Sequence, residues 1–134
     1  MRKQSSSTVK VRFVDRAEVL SALRRLARHL AEQVPAVEEV LLFGSFAEGN
    51  WSARSDADVL VVLREDAEPL EPRMLRFAPY FWEAPVETEV FPYTRAEVEK
   101  MKREGNRFLL RALDTGISLL EHGPASGSPG RDSR

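Results

Sequence analysis

Two short polar signatures, each joined to an apolar segment, lie ten residues apart in the first half of this chain. The first is Gly44-Ser45, which follows the apolar run Val37–Phe43, and the second is Asp56-Ala57-Asp58, which opens the apolar run ending at Leu63. Side chains alternate along a strand with period two, so the two aspartates point to the same face. The pattern therefore predicts two core strands, one ending in a tight turn and one beginning with an acid pair.

The residue types in these signatures suit phosphate and metal chemistry. Two carboxylates on one face can hold one or two Mg²⁺ ions against a nucleoside triphosphate, because Mg²⁺ prefers oxygen ligands. The Gly44-Ser45 turn offers backbone N–H groups and a hydroxyl to phosphate oxygens. Either signature alone is usually a turn or a solvated strand end. The two together, in their strand context, favour a catalytic site.

The stretch from Gly44-Ser45 to Asp56-x-Asp58 resembles the GS-x10-DxD motif of the minimal nucleotidyltransferases, which belong to the DNA polymerase beta-like nucleotidyltransferase superfamily. The resemblance is strongest between Val40 and Leu63. It implies an enzyme that transfers a nucleoside monophosphate, expected to be AMP from ATP, to a hydroxyl with release of pyrophosphate. It also implies two Mg²⁺ ions held by Asp56, Asp58 and a third carboxylate, which together form the catalytic site.

The third carboxylate is expected from the predicted strand 86–91. Relatives of this kind carry an acidic residue just ahead of a segment like Val90–Thr94, and that position here is Glu89. Glu87 lies two residues earlier, so its side chain is expected on the same face of the strand as that of Glu89. Glu87 is therefore the alternative candidate for the third carboxylate. Relatives usually have an aspartate at the position of Glu89, and the glutamate side chain is longer.

Four residues are predicted to bind the nucleotide: Gly44, Ser45, Arg54 and Ser55. Gly44 permits close approach of the backbone, and Ser45 is expected to contact the β- or γ-phosphate. Family members often carry a basic residue where this chain has Glu48. Arg54 is therefore the candidate for neutralising the phosphates, and a solvent-facing loop arginine is the alternative.

The pattern of apolar segments predicts an α+β fold, with a small mixed β-sheet and helices packed on one of its faces, as in the polymerase beta-like nucleotidyltransferases. We expect one domain over residues 9–122, with disordered tails at 1–8 and 123–134. The predicted elements are an edge strand at 9–14, a helix from Asp15 to Pro35, strands at 37–43, 56–63, 86–91 and 116–121, and a helix after Thr94 that breaks near Gly105.

Composition excludes several classes of protein. Twenty Lys and Arg nearly balance 21 Asp and Glu, and the resulting net charge of −1 argues against nucleic acid as a partner. The chain has no cysteine, which excludes disulfides and fits a reducing compartment. It shows neither a signal peptide nor a membrane span, so we expect a cytoplasmic protein.

A single small domain with this motif implies a protein partner. The resemblance points to the antitoxin of a HEPN/MNT toxin–antitoxin pair, which modifies a hydroxyl of a HEPN-type toxin. The alternatives are an aminoglycoside-type small-molecule nucleotidyltransferase and a catalytically weak module that binds nucleotide or partner. The aromatic run Phe77–Trp82 could dock a partner, although aromatic residues at this density more often belong to the core.

Overall fold

A four-stranded sheet forms the centre of the protein in our computed structural model, which describes residues 15–44 and 57–120. The strands are β1 (Val37–Phe43), β2 (Ala57–Leu63), β3 (Thr88–Thr94) and β4 (Ile117–Ser118), and their order in the sheet is β3-β2-β1-β4. β1 runs antiparallel to β2 and β4, whereas β2 and β3 are parallel. The predicted α+β class with a small mixed sheet is thus confirmed.

Several predictions fall outside the described residues. They are the strand at 9–14, the disordered tails at 1–8 and 123–134, and the site residues Ser45, Arg54, Ser55 and Asp56, together with Glu48.

Helix α1 (Arg16–Gln33) has the boundaries that its capping signals predict. The Asp15 carboxylate accepts a hydrogen bond from the backbone N–H of Ala17 at 3.1 Å. Val34 is already extended, because the residue before a proline is disfavoured in the helical conformation. The apolar stripe of α1 is buried against β1 and β2.

The helices cover both faces of the sheet, not one face as predicted. On one face, α1 packs on the odd-numbered residues of β2, such as Val59 and Val61. On the other face, α3 (Arg95–Arg103) and α4 (Arg107–Thr115) pack on Leu60 and Val62. A strand that is apolar on both faces needs cover on both, since each face left in water would forgo the free energy of burial.

Strand β3 starts and ends later than predicted, and it continues through Pro92. A proline has no backbone N–H to donate, so it is tolerated at the edge of a sheet. Among the strands that the structure describes, β3 is at the edge of the sheet, and the Pro92 carbonyl accepts a hydrogen bond of 2.7 Å from the Arg73 guanidinium. The side chain of Arg73 therefore satisfies an acceptor that a further strand would otherwise satisfy.

The segment between β2 and β3 forms α2 (Leu70–Phe77) and a 3-10 helix (Ala78–Phe81), where the sequence indicated only a charged connection followed by an aromatic run. Pro72 lies in the first turn of α2, where its missing N–H costs nothing. Phe77 and Phe81 belong to the core, whereas Trp82 is 76% exposed.

Helices α3 and α4 are separated where the sequence predicts a break. Thr94 and Glu97 form a capping box at the start of α3, and Gly105, with φ of +71°, ends it. The Asn106 side chain then accepts from the backbone N–H of Leu109 and caps α4. Among the described helices, none is long and apolar enough to cross a membrane.

Candidate active site

Two of the predicted carboxylates lie side by side on the sheet. Asp58 in β2 pairs with Glu89 in β3 in the parallel register, so both side chains project from the same face. Adjacent strands are about 4.8 Å apart, which brings the two residues within reach of one shared ligand. Asp58 is half-buried and Glu89 is exposed.

Glu87 lies just ahead of the first residue of β3. Its backbone carbonyl accepts a hydrogen bond from the N–H of Ala57 at 2.8 Å, and its side chain is exposed. Glu89, and not Glu87, is therefore the residue in register with Asp58.

Gly44, the residue that follows β1, lies directly against the Asp58 carboxylate. Gly44 has φ of +84°, a conformation that side chains disfavour, and a Cβ placed on it would lie 2.5 Å from Oδ2 of Asp58. Only glycine fits here without displacing the carboxylate. Gly44 thus determines how closely the turn and the acid approach each other.

Aromatic rings border the acids on the same face of the sheet. Phe43 is in register with Asp58, and Phe91 follows Glu89 by two residues. Phe108, in the first turn of α4, contacts both, with ring centroids 5.3 Å from Phe43 and 4.9 Å from Phe91. Tyr93 extends this cluster to a fourth ring, and burial raises the pKa of its hydroxyl.

A buried arginine holds the outer edge of β3. Besides the Pro92 carbonyl, the Arg73 guanidinium binds both carboxylate oxygens of Glu97 at 2.8 Å and the backbone carbonyl of Glu68 at 2.9 Å. These hydrogen bonds from Arg73, opposed in part by burial and assisted by the Thr94 N–H, lower the pKa of Glu97 to about 2. The network ties α2, β3 and α3 together a few residues from Glu89.

Sequence reasoning missed Arg73. The sequence does contain a pattern that indicates a buried arginine. Leu70, Arg73 and Phe77 recur at helical spacing on one face of α2, so an arginine interrupts an otherwise apolar stripe. Arginine is the residue best suited to a buried, bidentate pair with a carboxylate.

Comparison with known families decides the assignment. The sequence model of the nucleotidyltransferase domain matches residues 23–113, which is more than half of the chain. The chain belongs to the nucleotidyltransferase domain family.

A solved structure supports the fold of this nucleotidyltransferase. The crystal structure of a protein from Sulfolobus solfataricus, described as a candidate nucleotidyltransferase, superposes with a TM-score of 0.55 at 21% sequence identity. The match covers 88% of this chain and 89% of the other. A search of curated proteins found no significant match.

The nucleotidyltransferase family uses a divalent metal and a nucleoside triphosphate, and the described residues fit a hard cation. Asp58 and Glu89 supply carboxylate oxygens, and Gly44 places no side chain beside them. Within residues 15–44 and 57–120, no three acids or histidines form a metal-binding group. Asp56 would be the third carboxylate of the metal site, and it lies outside the described residues. The site of three carboxylates therefore stays a prediction.

Proposed function

We propose that this nucleotidyltransferase transfers AMP from ATP to a hydroxyl of a partner protein in a Mg²⁺-dependent reaction. The observation that carries the proposal is the pairing of Asp58 with Glu89 beside the Gly44 turn. In this arrangement two carboxylates lie beside Gly44, and they support the predicted role of the Gly44-Ser45 segment in binding phosphate next to a metal ion.

Each residue has a defined task in this proposal. The Gly44 turn, with Ser45, binds the triphosphate, and Arg54 and Ser55 add contacts to it. Asp56, Asp58 and Glu89 would hold the Mg²⁺ through which the α-phosphate and the acceptor hydroxyl are oriented. When bound, Mg²⁺ lowers the pKa of that hydroxyl and neutralises the charge of the leaving pyrophosphate.

Exposed apolar side chains support the proposal of a protein acceptor. Trp82 and Leu75 are 76% and 79% exposed, although both are large apolar side chains next to a well-packed core. Exposed aromatic residues of this kind commonly anchor protein interfaces. We infer that the partner is a HEPN-type toxin, for which this chain is the antitoxin. This inference rests on the GS-x10-DxD resemblance.

The experiment supplies the purified protein with ATP labelled at the α-phosphate, Mg²⁺ and a lysate of its host. We expect label on one protein band, released pyrophosphate, and loss of both with Asp58→Asn. Glu71→Gln is the matched control, because Glu71 is an exposed acid on α2, outside the site. Label found on small molecules alone would show that the acceptor is a small molecule and not a protein. Absence of any labelled product would contradict the proposed transfer reaction.

A further inference from the structure

We propose that Phe91 and Phe108 form a subsite for a planar aromatic ring beside the catalytic acids. The proposal rests on the proposed function, since it assigns a substrate contact to that same site. The ring would come either from the nucleobase of the donor or from an aromatic group that carries or adjoins the acceptor hydroxyl.

The sheet places Phe91 next to the acids. Glu89 and Phe91 are two residues apart in β3, so their side chains share a face and are separated by about 6.8 Å along the strand. Phe91 is in register with Leu60, just as Glu89 is in register with Asp58. The acids therefore form one row across the sheet, and Phe91 stands in the next row.

Phe108 brings a second ring to the same place. It lies at the start of α4, and its ring meets that of Phe91 edge-to-face at 4.9 Å, with an interplanar angle of 66°. Helix α4 covers the sheet from this point onward, burying Leu109 and Ala112. The two rings thus lie where the helical cover ends and the row of acids begins.

Burial separates Phe43 from the other rings of the aromatic cluster, among them Phe91 and Phe108. Phe43, which contacts both, is 5% exposed and belongs to the core. Phe91 and Phe108 remain partly exposed. Phenylalanine has no polar group that would favour exposure, so the partly open rings are available to a ligand that brings its own π-face.

The ligand class follows from the chemistry of the rings. Aromatic faces and edges carry opposite partial charges, so they attract another aromatic ring in a stacked or edge-to-face arrangement. A saturated ring of the same outline lacks that charge distribution. Selectivity for planar over saturated rings is therefore the property that distinguishes this subsite from a general apolar surface.

Nuclear magnetic resonance of the full chain with ¹³C-labelled phenylalanine tests the proposal without requiring catalysis. The seven phenylalanines are assigned with Phe→Leu variants, and the protein is titrated with adenosine, p-cresol and 4-methylcyclohexanol. We expect saturable shifts of the Phe91 and Phe108 resonances with at least one planar compound and none with 4-methylcyclohexanol. A response to adenosine identifies the donor base, and a response to p-cresol identifies the acceptor ring.

Substitutions complete the test. Phe108→Leu is expected to weaken binding of the responding compound by about 3- to 10-fold, whereas Phe108→Tyr keeps the ring and the affinity. Phe81→Leu is the control for destabilisation, because Phe81 is buried in the core on the opposite face. Equal shifts with the saturated alcohol, or no shift of either ring with both planar compounds, would overturn the subsite. Failure of nucleotidyl transfer in the lysate experiment is a separate result, because the titration contains no ATP, metal or partner.

Discussion

At the scale of single residues, Gly44 is a position that leaves no room for a side chain. A Gly44→Ala protein combines a strained positive φ with a Cβ 2.5 Å from Oδ2 of Asp58. We expect the strain alone to lower the free energy of unfolding by about 1–2 kcal/mol. The displaced carboxylate should also weaken binding of Mg²⁺-ATP. Urea unfolding and calorimetric titration measure the two effects.

Gly105→Ala is the matched control for this prediction. Gly105 has φ of +71°, but an added Cβ would have no neighbour within 4 Å. The Gly105→Ala protein should therefore have a lower free energy of unfolding but an unchanged affinity for Mg²⁺-ATP. Equal ATP affinity in the Gly44→Ala and Gly105→Ala proteins would show that Gly44 has no role in the site.

The third carboxylate can be identified by comparing Glu89→Gln with Glu87→Gln. Because Glu89 is in register with Asp58, we expect Glu89→Gln to lower the rate of transfer by more than about 100-fold. Glu87→Gln should have little effect. Both side chains are exposed, so either change should alter the free energy of unfolding by less than about 0.5 kcal/mol. A larger loss of activity in Glu87→Gln would assign the role to that residue instead.

At the scale of secondary-structure elements, Arg73 joins α2 to β3 and α3. Arg73→Met leaves the Pro92 carbonyl without its side-chain donor and leaves the Glu97 carboxylate with only the Thr94 N–H of the donors described above. Removing one member of a fully buried ion pair lowers the free energy of unfolding by about 3–5 kcal/mol. Because the Glu97 side chain is 41% exposed, we expect Arg73→Met to lower it by about 2–3 kcal/mol.

Arg76, one turn along the same helix, provides the comparison. It binds Asp66 and Glu68, and its side chain is 45% exposed. Arg76→Met should therefore cost less than about 1 kcal/mol. Thermal and urea unfolding of both variants check the difference, and similar losses in the two would show that burial does not strengthen the Arg73 pair.

The same network predicts how stability depends on pH. The hydrogen bonds from Arg73 hold the pKa of Glu97 at about 2, below its ordinary value of 4.5. Because the pKa of Glu97 is lower in the folded than in the unfolded protein, the ionised carboxylate stabilises the fold. This stabilisation is complete at pH values above the unfolded pKa, and it is lost as the pH falls from about 4.5 toward 2. Asp66 contributes in the same direction: burial works to raise its pKa, but the Glu68 N–H and Arg76 outweigh it and lower the pKa.

Urea unfolding between pH 5 and pH 3 tests this prediction (roughly the upper part of the window set by the two pKa values). Glu97→Gln cannot titrate, so its stability should fall less steeply with acid than that of the natural protein. The Asp66 contribution should remain. An unchanged pH dependence in Glu97→Gln would show that this carboxylate is not held ionised by the fold.

At the scale of the whole molecule, substitution of the exposed Trp82 tests whether partner recognition is separate from catalysis. Trp82→Ala should leave the free energy of unfolding within about 0.5 kcal/mol, because the side chain is 76% exposed. We expect weaker labelling of the partner protein and unchanged affinity for Mg²⁺-ATP. Binding of partner to immobilised protein measures the first effect. Full labelling in Trp82→Ala would place the docking surface elsewhere.

Local signals in the sequence determined much of this molecule. The caps at Asp15 and Thr94, the break at Gly105 and the apolar run of β2 each act within a few residues, so they could be interpreted without knowing the fold. The Gly44-Ser45 and Asp56-x-Asp58 signatures likewise pointed to the family to which the chain belongs.

Only the tertiary structure decided how distant segments meet. Period-two alternation could not separate Glu87 from Glu89, because register depends on how β3 pairs with β2. The outward carbonyl of Pro92 receives its hydrogen bond from Arg73, which lies 19 residues earlier in the chain. Which helices cover each face of the sheet, and the exposure of Trp82, also depend on contacts between elements far apart in the chain. Such contacts leave no local periodicity, and for that physical reason the sequence alone could not reveal them.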